Sequence, residues 1–67
     1  MEQQVHTIYA SARDGFMAGR GAKYSGQNAQ GALVYVAKLA GGGTITYVVT
    51  GAGQGLLRVR EIRACAC

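Results

Sequence analysis

The chain has 67 residues with no proline, eleven glycines, and seven lysines and arginines against three acidic residues, for a net charge of +4. That length holds one domain at most, residues 1–67, and so small a domain buries only about 60% of its unfolded surface, which leaves little stability to spare. Apolar residues at 49% and charged residues at 15% argue against disorder driven by charge.

The opening residues, Met1-Glu2-Gln3-Gln4, lack the basic and then apolar segments of a secretory signal. No run reaches the ~18 apolar residues of a membrane span, and the best of them, Ala32 to Ala40, is broken by Lys38. The two cysteines, Cys65 and Cys67, do not make a disulfide framework, so a reducing, cytoplasmic location without membrane contact is expected.

Runs rich in Val, Ile, Leu, Thr and Tyr between glycine clusters predict strands at Val5–Ala12, Ala32–Ala40, Thr44–Thr50 and Leu56–Arg63. A short fifth strand is expected around Phe16–Ala18. Gly19–Gly31 is polar and glycine-rich and reads as a long loop, and residues 64–67 read as a C-terminal tail. The expected class is all-β, an antiparallel meander of four or five strands. An α+β alternative places a helix at about 27–40, where Ala29, Ala32, Ala37 and Ala40 favour helix and Gly41 suits its end. The cluster Val34-Tyr35-Val36 favours the strand.

Folding Ala32–Ala40 onto Thr44–Thr50 through the three glycines sets Leu39 opposite Ile45, Ala37 opposite Tyr47 and Tyr35 opposite Val49. Returning the last strand with Thr50 opposite Leu56 adds Leu57 and Val59 to the same apolar surface. The other surface collects Lys38, Thr46, Arg58 and Arg60 with Val34, Val36 and Val48. A one-residue slip in any strand would exchange its faces, so agreement across three strands supports the pattern.

A glycine-rich loop, then Gly31 leading into Ala32–Ala40, a tight turn, Thr44–Thr50, a short turn and Leu56–Ile62 resembles the strand order of SH3-like barrels. The meander is therefore expected to close into such a barrel. The run from Tyr24 through Arg63, 40 residues, is similar in spacing to the plasmid-borne type II dihydrofolate reductases, which are tetramers of SH3-like barrels. The similarity rests on Ser25-Gly26, Gln30-Gly31 and the strand lengths. That family's Val-Gln-Ile-Tyr substrate motif is missing, with Leu57-Arg58-Val59-Arg60 near its place, so no catalytic residue is carried over. Such folds host many unrelated functions.

Few groups suit catalysis. His6, Asp14 and Glu61 come from separate segments, whereas acid–base chemistry needs a positioned pair. Gly51-Ala52-Gly53-Gln54-Gly55 sits between strands, without the helix that a dinucleotide fingerprint requires. Cys65-Ala66-Cys67 offers two thiolates and His6 a nitrogen, short of the four ligands of structural zinc. No enzyme, cofactor or metal site is expected.

The basic residues remain. Arg58, Arg60 and Lys38 on one sheet face, joined by Arg20 and Lys23, form a stripe suited to phosphates, and small β modules bind nucleic acid across a strand face. The expected function is a non-enzymatic module for an anionic partner, nucleic acid first. The alternatives are a self-assembling subunit, oligomer or filament, and a small inhibitor that docks on another protein. Between Tyr24 and Leu57 the only Lys, Arg, Asp or Glu is Lys38. So uncharged a centre leaves strand edges with few charged guards and predicts self-association.

Overall fold

The computed structural model describes residues 2–65. Five strands, β1 (Glu2–Tyr9), β2 (Lys23–Gln27), β3 (Leu33–Lys38), β4 (Gly43–Gly53) and β5 (Leu56–Cys65), make one antiparallel sheet in the order β1-β5-β4-β3-β2. The chain is all-β apart from a 3-10 turn at Ala10–Ala12 and one short helix, α1 (Arg13–Gly19). β2 to β5 form a meander. β1 pairs with β5 from Glu2 opposite Arg63 to Tyr9 opposite Leu56.

Several expectations change. The first strand ends at Tyr9, and the segment expected as a strand at Phe16–Ala18 is α1. β1 and β2 lie on opposite edges, so residues 10–22 must cross the sheet, about 19 Å at the usual strand spacing. A helical turn on that path sets Phe16 and Met17 down onto the sheet, and this outweighs the strand preference of Phe16. Within the expected loop at Gly19–Gly31, Lys23–Gln27 is a strand that pairs with β3. The alternative helix at 27–40 gives way to β3, where each of Leu33–Lys38 finds a partner in β4. Ala64 and Cys65 continue β5, and the rest of the expected tail lies outside the described residues.

The register differs from the sequence reading by two residues at both hairpins. Lys38 faces Thr44, Ala37 faces Ile45, Tyr35 faces Tyr47 and Leu33 faces Val49. In the next pairing Val49 faces Val59 and Tyr47 faces Glu61. The cause lies in the turns. Ala40-Gly41-Gly42 forms the first turn, closed by Leu39 N–H donating to Gly43 O at 3.2 Å. The second turn needs only Gln54 and Gly55, at φ 58° and 76°, because a bulge between Gly51 and Gly53 carries β4 further into the glycine-rich segment. A two-residue shift keeps every side chain on its face.

The inner face is the core. Met17 of α1 packs on Ala37, Ile45, Tyr47, Val49 and Val59, with Phe16, Leu33, Tyr35 and Leu57 around them. Tyr47 is 2% exposed and Val59 fully buried. No described helix is long and apolar enough to cross a membrane.

Candidate polyanion-binding face

The outer face carries four of the five candidate cations. Pairing fixes their places. Arg60 lies opposite Val5 and Val48, Arg58 opposite Thr7 and Thr50, Lys38 opposite Thr44, and Lys23 opposite Val36. Cross-strand partners share a face, so all four side chains rise from the side that α1 leaves open. Among the described side chains this face bears no carboxylate: Glu61 is on the inner face and Asp14 is on α1, 3.6 Å from its neighbour Arg13.

The cations form two groups. Arg58 and Arg60 line a hollow of about 130 Å³ with Asn28, Gln30, Val48 and Thr50. Lys23 and Lys38 line another, of about 310 Å³, with Gly21 and Val36. Between them runs a half-buried strip of Val34, Val36, Val48 and Thr46. Arg60 is level with Val34, two strands away, and Lys38 lies four residues further along β3, so the groups are about 16 Å apart at ordinary strand dimensions.

Asn28 shapes the Arg58–Arg60 hollow. Its side-chain Oδ1 accepts from Gln30 N–H at 2.9 Å and from Ala32 N–H at 3.0 Å, while its backbone N–H donates to Ala32 O and its carbonyl accepts from Gly31 N–H, both at 3.0 Å. Gly31 takes φ 82°, a conformation that glycine adopts without strain. The sequence reading passed over Asn28 and Gln30. The available signal was Asn28 three residues before Gly31, a pattern in which the Asn side chain folds the backbone back on itself.

Arg20 stands apart. It ends α1, and its guanidinium carbon lies 3.7 Å from the centre of the Phe16 ring, on the inner side. There it joins a different set of polar groups. His6 Nε2 is 3.1 Å from Glu61 Oε1, and Arg63 Nη2 is 3.8 Å from Glu61 Oε2. Tyr47 lies across from Glu61 and holds its phenol proton more tightly than usual. Burial is the main cause and the Glu61 charge adds to it, partly opposed by Arg20 and Arg63. These groups satisfy one another, and among the described residues no set of three or more His, Cys, Asp and Glu is placed to hold a metal ion.

The aromatic side chains divide likewise. Tyr24 packs edge-on to Tyr35, and Phe16 lies between His6 and Tyr47. Tyr9, 70% exposed, shares the outer face with Thr7 and Arg58. Comparison with known protein families, curated proteins and solved structures finds no match for this chain.

Proposed function

We propose that the protein is a small non-enzymatic module that holds a single-stranded nucleic acid across the outer face of its sheet. The observation that carries this reading is the gathering of Lys23, Lys38, Arg58 and Arg60 on one open face without a described carboxylate. Two cation groups about 16 Å apart suit an extended polyanion, since one small anion reaches only one of them. Thr46, Thr50, Asn28 and Gln30 add neutral donors of the kind that contact phosphate oxygens. A single strand fits better than a duplex, because a sheet face has no projecting element to enter a groove, and the only described helix packs on the other side. Tyr9 offers a ring on which a base can stack, and Arg58 lies diagonally beside it.

The test is fluorescence anisotropy of a labelled single-stranded oligonucleotide over a range of salt. Four phosphate contacts predict a slope of about −3 in log affinity against log salt. Absence of binding at low salt, or affinity indifferent to salt, would reject the reading.

A further inference from the structure

The two edges of the sheet are unequal. β2 is a poor pairing surface, five residues long, interrupted by the bulge between Tyr24 and Gly26, and begun by a lysine. Short edges, bulges and lysines are the means by which sheets avoid joining other chains. β1 has none of them. Its register with β5 is unbroken, and Gln3–Tyr9 contains no Lys, Arg, Asp, Glu or Pro.

The direction of the free backbone groups follows from the ladder. Ala10 N–H donates to Gly55 O at 2.8 Å, extending the β1–β5 register by one hydrogen-bonded pair. Bonded and non-bonded pairs alternate in an antiparallel ladder, so Gln4, His6 and Ile8 turn their backbone groups towards β5. Gln3, Val5, Thr7 and Tyr9 turn theirs outwards, with no partner strand beside them among the described residues. The side chains of these same residues lie on the outer face. Val5 is 56% and Tyr9 70% exposed, two of the three large apolar side chains so exposed among the described residues.

We infer that β1 pairs antiparallel with β1 of a second copy, about a two-fold axis perpendicular to the sheet. A register centred on His6 uses all four outward residues, with Gln3 opposite the second copy's Tyr9 and Val5 opposite the second copy's Thr7. The diagonals bring Val5 beside the second copy's Val5 and Tyr9, so the apolar side chains that stand bare on one chain adjoin one another along the seam. With β2 protected, pairing stops at two copies. The inference does not depend on nucleic-acid binding. It does place both outer faces on the same side, which lengthens the cationic surface.

The test is mass by sedimentation equilibrium from micromolar to high micromolar concentration, with reductant present and nucleic acid removed. The expected mass is that of two chains. Val5→Pro removes an outward N–H that β5 does not use, and is expected to give folded single chains. Val5→Lys, which leaves the backbone intact, is expected to do the same, and it decides the matter should the proline variant lose its circular dichroism. Ser25→Lys on β2 is expected to leave the dimer unchanged. A single-chain mass for the native protein, an assembly larger than two, a dimer that survives Val5→Lys, or one lost only with Ser25→Lys would each overturn the inference.

Discussion

His6 Nε2 and Glu61 Oε1 lie 3.1 Å apart and join β1 to β5 across 55 positions of sequence. The Glu61 side chain is 11% exposed and faces Arg63 with its second oxygen. Removing the carboxylate leaves the part-buried His6 and the exposed Arg63 without their acceptor, whereas removing the imidazole leaves Glu61 with Arg63. Glu61→Ala is therefore expected to cost about 1–3 kcal/mol and His6→Ala less, as read by urea unfolding. An equal or reversed order would mean that the pair does not hold the two strands together.

Tyr47 links the stability of the fold to alkaline pH. Its folded pKa lies above the ordinary tyrosine value of 10.0, so the folded state keeps a proton that the unfolded state releases. The contribution is complete below pH 10, and stability falls as pH rises through 10 towards the folded value. Urea midpoints measured across that range are expected to decline. Tyr47→Phe, which cannot ionise, is expected to flatten the decline, and an unchanged slope would assign it to other groups.

The two faces of the sheet differ in what a truncation costs. Met17 is 2% exposed and is the deepest contact of α1 with the sheet, so Met17→Ala is expected to lose about 2–5 kcal/mol. Small domains have a total stability of about the same size. Val34, half-buried on the outer face, is expected to tolerate alanine better than either Tyr47 or Val59. Thermal unfolding of the four alanine variants checks the order, and Val34→Ala as the most damaging would mean that the outer face is covered.

The turn after β4 is open to improvement. Gln54 is the only described non-glycine residue at positive φ, 58°, and it precedes Gly55 in a two-residue turn. Asn-Gly is the preferred pair in such turns, because asparagine tolerates this conformation better than glutamine. Gln54→Asn is expected to add about 0.5–1 kcal/mol, seen as a rise in Tm.

The outer and inner cations are expected to part under mutation. Arg58→Ala with Arg60→Ala should abolish most oligonucleotide binding and reduce the salt slope by about 1.5, with the fold intact. Arg20→Ala should leave binding nearly unchanged, since Arg20 covers Phe16 on the other side. Loss of binding in Arg20→Ala together with full binding in the outer double variant would reverse the assignment of faces.

Some of this was legible in the order of residues alone. Alternation in Ala32–Ala40, Thr44–Thr50 and Leu56–Arg63 determined the class and sorted Tyr47, Val49 and Val59 from Arg58, Arg60 and Lys38. A strand's side chains have a period of two, so a two-residue error in register leaves the faces intact. The turn chemistry was less legible, because a bulge at Gly51–Gly53 and a positive φ at Gln54 are settled by how β4 meets β5. Only the tertiary structure decided the rest. Phe16 and Met17 are helical because β1 and β2 lie on opposite edges and their connection must cross the core. Arg20 leaves the other cations because it ends that crossing helix, and Glu61 meets His6 because the first strand lies beside the last. Each of these depends on which strands are neighbours, and that is settled by burying one shared apolar face, which no local run of residues specifies.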